Sequence, residues 1–183
     1  GPDGAQAASA LFVAGDSAGG NLALSLIAWV RDQGLRAPDA AVVFSPATDA
    51  TLSSPSLRAK LATDPMLGPL FAPLTRMPRA LLLWTTWLAN RINPRDPLIS
   101  PVFGDLANLP PVLVQASRSE MLLDDARRWV NRARAAGSPA RLQVWDHMPH
   151  VWPIFNPELP EAEQALGEAG RFLAGHCGSL TAP

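Results

Sequence analysis

With 15 Lys and Arg against 16 Asp and Glu in 183 residues, the chain has a formal net charge of −1 and no long-range field to gather phosphates, which argues against a nucleic-acid partner. At 48% hydrophobic and 17% charged residues it has the composition of one soluble globular domain, and no stretch approaches the ~18 unbroken apolar residues of a membrane span. The single cysteine, Cys177, excludes an internal disulfide and fits a reducing, cytoplasmic setting as well as an exported protein without bridges, and the Cys, His and acidic spacings match no zinc, calcium or magnesium site, so neither metal nor cofactor is expected.

Residues 1 to 9 are small and polar and read as a loop. The apolar run at about 10 to 14 reads as a buried strand that breaks at Gly15, presents Ser17 at the tip of a sharp turn and resumes as a helix over about 18 to 32, ended by Gly34. Leu22, Leu26, Trp29 and Val30 mark the helix's apolar face. Strand, G-x-S-x-G and helix in that order form a nucleophile elbow. A serine held there needs strained backbone angles, and Gly15 and Gly19 stand where a side chain would collide. The helix behind Ser17 aims unpaired N–H groups, among them that of Ala18, at an oxygen anion. No segment with a charged start, apolar core and cleavage site precedes the elbow, and the chain reaches Ser17 so soon that further sequence is expected upstream.

Ala40 to Pro46 is a second apolar run, ended by proline, and reads as a parallel strand buried on both faces. From about 48 to 110 prolines are frequent and two short helical segments, near 55 to 63 and 79 to 91, make an excursion from the sheet. Leu81, Trp84, Leu88 and Ile92 follow helical spacing, and Met66, Leu67, Leu70, Phe71 and Trp87 add more apolar surface than one helix face needs. The excursion is either a cap that walls an apolar substrate pocket or a satellite core. Pro111 to Ala116 is the third strand, with Glu120 in the loop at its C-terminal edge, and a helix follows over about 121 to 136. Its arginines Arg127, Arg128, Arg132 and Arg134 read as a solvated face. Ala140 to Trp145 is the fourth strand, His147 and His150 lie in the loop after it, and a last helix runs from Pro160 to about Leu173 with His176 in the tail.

The loops at the C-terminal ends of parallel strands converge on one edge, so Ser17, Glu120 and His150 can meet. Serine needs an imidazole to take its proton, and the imidazole needs a carboxylate on its other nitrogen to fix the tautomer. His150 is the expected base and His147 the alternative, since spacing barely separates them. Glu120 is the expected acid. Asp124 and Asp125 compete for that role but suit the first turn of a helix, and Asp16, Asp49 and Asp64 read as loop-holding residues. The letters Gly15 to Gly20 also approach the serine motif of trypsin-like proteases, but every histidine follows Ser17, so the order is serine, acid, histidine, that of the α/β hydrolases.

On these motifs the chain resembles the C-terminal portion of the hormone-sensitive-lipase-like bacterial esterases. Gly15-Asp16-Ser17-Ala18-Gly19-Gly20 is similar to that family's elbow. Ser45-Pro46 with Asp49, Asp64-Pro65-Met66-Leu67, Asp96 to Pro101 and Leu109-Pro110-Pro111 continue the match, Glu120 to Asp125 falls on its acid segment, and Met148-Pro149-His150-Val151-Trp152 on its histidine motif. The resemblance implies an α/β fold equivalent to the second half of an α/β hydrolase: about four parallel strands with flanking helices in one partial domain, 1–183, with 48–110 as cap or pocket wall. It implies a serine carboxylesterase for short to medium acyl esters, with Ser17, Glu120 and His150 catalytic, Ala18 an oxyanion donor, and Met66, Leu67, Leu70, Phe71, Trp84, Trp87 and Val151 in the substrate pocket. The family's His-Gly-Gly-Gly motif, which adds oxyanion donors, is expected upstream of residue 1, and activity of this stretch by itself is expected to depend on it. An open apolar edge beside the first strand predicts a homodimer, aggregation or marginal stability. The rival readings are another acyl hydrolase on this fold (peptidase, amidase or lactonase) and a binding module without turnover.

Overall fold

Four strands, Phe12–Asp16 (β1), Ala40–Phe44 (β2), Val112–Ser117 (β3) and Ala140–Trp145 (β4), form one parallel sheet in the order β1-β2-β3-β4. The computed structural model describes residues 8–75 and 77–177, so most of the loop read over residues 1 to 9 lies outside them. Because successive side chains on a strand point to opposite faces, Ala41, Val43, Val112, Val114 and Ala116 meet helices Ser17–Asp32 (α1) and Leu123–Ala135 (α5) on one side of the sheet. Val42, Phe44 and Leu113 meet helix Pro160–Ala174 (α6) on the other. Every residue of β3 is buried, as a strand covered on both faces requires. Strands, flanking helices and parallel order agree with the expected α/β class, and strand ends shift from the expected bounds by at most two residues.

The inner face of α1 differs from the expected one. The helix buries Gly20, Ala23, Leu24 and Ile27, whereas Leu22 is 68% exposed and Leu26 and Trp29 are exposed as well. Both sets recur at helical spacing, and close approach decides between them. A Cβ on Gly15 would stand 2.2 Å from the Gly19 carbonyl oxygen, and one on Gly20 would stand 2.9 Å from the Pro46 Cβ. A helix drawn this near the sheet turns Gly20 and Ala23 toward it, with Leu24 and Ile27 buried beside them, and leaves Leu22, Leu26 and Trp29 outside. Gly20, rather than Gly19, is therefore the second crowded glycine, since a Cβ on Gly19 would meet only the Asp16 Oδ1 at 3.3 Å. Along its outer edge β1 has no partner strand among the described residues.

Between β2 and β3 the chain forms helices Ser56–Ala59 (α2), Leu67–Thr75 (α3) and Arg79–Asn90 (α4). The α3 helix is absent from the expected elements because Pro69 and Pro73 argue against it. Pro69 falls in the first turn, where a missing N–H breaks no intrahelical bond. Asp64 prepares that turn, its Oδ1 accepting the N–H groups of Met66 at 3.1 Å and Leu67 at 2.8 Å. Pro73 is accommodated inside the helix near its end.

Candidate active site

Ser17 is the first residue of α1 and sits at φ 48, a left-handed backbone that a β-substituted residue adopts at a cost of about 1 to 3 kcal/mol. The turn from β1 into α1 holds it there, with Gly15 giving the helix room to start at once. Ser45, at the end of β2, also takes φ 48, and its Oγ accepts the Val151 N–H at 3.2 Å. That contact holds the start of the 150s loop, where Val151 is itself left-handed at φ 53. The Ser117 hydroxyl, at the end of β3, donates to the Met148 carbonyl at 2.6 Å. The ends of β2 and β3 thus grip the loop that carries His150.

The structure brings Ser17, His150 and Glu120 into one hydrogen-bonded line. His150 Nε2 lies 2.9 Å from Ser17 Oγ and its Nδ1 lies 2.9 Å from Glu120 Oε2. With the ring proton on Nδ1, the imidazole donates to the carboxylate and accepts from the hydroxyl. Glu120 is fully buried, and its other oxygen accepts the Ser117 N–H at 2.9 Å, so the carboxylate cannot swing away. Ala18 follows Ser17 in the first turn of α1, where N–H groups have no carbonyl within the helix to meet. His147 is exposed, and His176 bonds the Phe172 carbonyl in the tail; neither comes to Ser17.

Ser17 lies on the wall of an apolar cavity of about 540 Å³ whose lining includes Leu22, Leu57, Leu67, Phe71, Ile99 and Met121. Of the residues expected in a pocket, Leu67 and Phe71 are there. Met66 and Leu70 are exposed on the outside of the excursion, and α4 turns Leu82 inward while Trp84 and Trp87 face out. Trp87 instead lies under the Arg91 guanidinium, 5.1 Å from its ring centre. The apolar row keeps the expected helical spacing but occupies the outer face of α4. Val151 is buried against a separate hollow with Ala14, Phe44 and Ile154. The residues that sequence reasoning passes over include Asn21, whose Nδ2 donates to the carbonyls of Ala47 at 2.6 Å and Ile99 at 2.8 Å and so joins two walls of the cavity. Its one local signal is a lone amide one helical turn after Ser17.

The profile of the alpha/beta hydrolase fold family matches residues 3–154. The chain belongs to that family. An acetyl-hydrolase of Streptomyces hygroscopicus is 40% identical over 161 residues, 88% of this chain and 51% of that protein. An esterase of Acinetobacter venetianus is 35% identical over 162 residues, again 88% and 51%. A crystal structure of an esterase from the bacterial hormone-sensitive lipase family aligns with a TM-score of 0.78 at 39% identity, covering 91% of this chain and 53% of that one. The chain spans about half the length of the curated relatives it matches.

In this α/β hydrolase the competing carboxylates have other work. Asp125 is buried, its Oδ2 accepting the N–H groups of Thr48 at 2.7 Å and Asp49 at 2.9 Å while Ser54 donates to its Oδ1. Asp124 accepts the Ser56 N–H at 3.0 Å, and Asp64 Oδ2 accepts the Met121 N–H at 2.9 Å. Asp49 takes hydrogen bonds from Thr51, Ser53 and Arg128. Asp16 caps α1 by position alone, with no side-chain cap bond. Arg128 is therefore not part of a solvated face, since it pairs with the buried Asp49 carboxylate at 2.6 Å.

Burial pushes the Asp125 carboxyl up to about 6, against the opposing hydrogen bonds from Ser54 and the Thr48 N–H. Burial also acts to raise Asp49, but hydrogen bonds from Ser53, Thr51 and Arg128 outweigh it and hold that carboxyl below its ordinary value. A raised carboxyl binds its proton more tightly folded than unfolded. The stability Asp125 contributes is complete below its ordinary value of 3.8 and is lost as pH rises through about 6. Asp49, shifted the other way, loses its contribution only as pH falls below that window. Urea unfolding of the wild type and Asp125→Asn, compared from about pH 4 to about pH 7, is expected to show the wild-type advantage shrinking by roughly 2 to 3 kcal/mol. A difference that stays flat with pH removes Asp125 as the titrating group.

Proposed function

We propose that the chain carries the nucleophile, base and acid of a serine carboxylesterase acting on short to medium acyl esters, within one α/β-hydrolase domain in which residues 48–110 form the pocket wall. The observation that supports it is the hydrogen-bonded line from Ser17 through His150 to Glu120, opening at Ser17 onto an apolar cavity. His150 Nε2 takes the hydroxyl proton as Ser17 Oγ bonds to the acyl carbon. Glu120 offsets the imidazolium charge, and the Ala18 N–H donates to the oxygen that becomes negative. The imidazolium then gives its proton to the departing alkoxide, leaving an acyl-serine. Water, deprotonated by His150, releases the acid and restores the hydroxyl. The relatives named as an acetyl-hydrolase and an esterase support the ester as substrate. Self-association, and a cytoplasmic setting, belong to the same proposal.

Incubation with a p-nitrophenyl phosphonate, followed by peptide mass analysis, is expected to give one adduct at Ser17. A parallel panel is expected to show hydrolysis of butyrate and hexanoate esters in preference to matched amides and lactones. An adduct elsewhere, or none, overturns the proposal. An adduct with no turnover of any ester favours the binding module, and faster cleavage of amides or lactones favours the rival hydrolases.

A further inference from the structure

Behind the cavity at Ser17 lies a second one, of about 490 Å³, that does not reach the serine. The two share a wall made by Leu52, Leu57, Phe71 and Met121. Beyond it, Leu82 and the exposed Leu74 line the rear chamber on its apolar side, with Arg58, Arg79 and Thr85 on its polar side. Each chamber falls in the roughly 300 to 1,000 Å³ range of small-ligand sites, so the wall decides whether a ligand sees one or both.

One of the four wall residues cannot yield. Met121 is buried and its backbone N–H is held by Asp64, immediately after Glu120. Leu52 is exposed, at a left-handed φ of 55 in the loop that Asp49 and Asp125 fix through its neighbours. Leu57 on α2 and Phe71 on α3 are half-buried, and Phe71 is the largest group in the wall. Resting on the esterase reading above, we propose that Phe71, with Leu57 opposite, is the stop that sets the longest acyl chain the site accepts, and that the chamber behind it is space a longer chain enters once the stop is shortened. The substrate class this assigns is an ester whose acyl arm runs from Ser17 toward Phe71 and ends there.

Shortening the stop should therefore lengthen the preferred chain rather than raise or lower activity uniformly. Each methylene buried adds about 0.8 kcal/mol, a factor of about four, so a few more buried methylenes give at least about tenfold. For Phe71→Ala the rate of Ser17 labelling by p-nitrophenyl alkylphosphonates is expected to rise about tenfold for decyl relative to butyl, against the same ratio in the wild type. Leu82→Trp, which fills only the rear chamber, is expected to leave the wild-type ratio unchanged and to cancel the gain when combined with Phe71→Ala. Leu67→Ala lines the front chamber alone and is expected not to reproduce it. A second measurement does not need the nucleophile: in the Ser17→Ala background, calorimetry with 1-butanol and 1-decanol should show the same Phe71-dependent change in affinity ratio. Absence of labelling at every chain length defeats the esterase reading and leaves the alkanol ratios to decide the stop. Chain-length ratios in labelling and alkanol binding that Phe71→Ala does not move, or a gain that Leu82→Trp does not cancel, overturn the stop itself.

Discussion

Ser17→Ala is expected to lower kcat for ester hydrolysis by at least about ten-thousandfold with KM little changed, and to abolish phosphonate labelling. The size follows from the role: without the hydroxyl no acyl-enzyme forms, and only binding and the oxyanion donor remain to assist direct attack by water. The substitution removes one oxygen that bonds His150 Nε2 and leaves the β1 to α1 turn with the residue at φ 48. Alanine meets the same backbone cost as serine there, so urea unfolding should move by less than about 1 kcal/mol. A variant of normal stability that keeps a tenth or more of the wild-type kcat would remove Ser17 from the reaction.

Glu120→Gln is expected to cost about as much in kcat, on the order of ten-thousandfold, while preserving the shape of the site. The amide oxygen can still accept the Ser117 N–H, but the amide nitrogen then faces His150 Nδ1. Two N–H donors cannot share that contact, so the imidazole moves its proton to Nε2, where it no longer accepts from Ser17 Oγ. The loss should show in kcat and in the rate of phosphonate labelling, with KM largely kept. A nitrogen-15 NMR spectrum of the ring should show the protonated nitrogen exchanging from Nδ1 to Nε2. Glu120→Asp keeps the charge and shortens the reach by one methylene, and it should recover a measurable part of the rate without the tautomer change. A tautomer identical in wild type and Glu120→Gln would mean that Glu120 does not orient the ring.

The parallel order of strands is readable because Val42, Val43, Leu113 and Val114 stand in short apolar runs punctuated by Pro46 and Pro111, and such runs have few other ways to be buried. The meeting of Ser17, Glu120 and His150 can be anticipated from strand ends alone, since parallel strands send their following loops to one side. What cannot be read depends on contacts far apart in sequence. Asp125 bonds the backbone of Thr48 and Asp49, and Arg128 reaches Asp49, pairings that no local pattern announces. The outward turn of Leu22, Leu26 and Trp29 hides for a related reason: helical spacing allows two apolar faces on α1, and the crowding at Gly15 and Gly20 selects the one that carries Gly20. On α3, Pro69 and Pro73 weigh against a helix in any local count, and Asp64 tips the balance the other way by supplying its first turn.

The carboxylates of Asp64, Asp124 and Asp125 fasten the 48–67 stretch to the residues just after Glu120, whereas Leu57, Leu67 and Phe71 enter the cavity with side chains that form no hydrogen bonds. Scaffold and upholstery are therefore separate. A library that randomises those three apolar positions can retune which molecules are admitted while the anchoring acids keep the Glu120 carboxylate in register, so new selectivities should be reachable in single steps without first passing through inert intermediates.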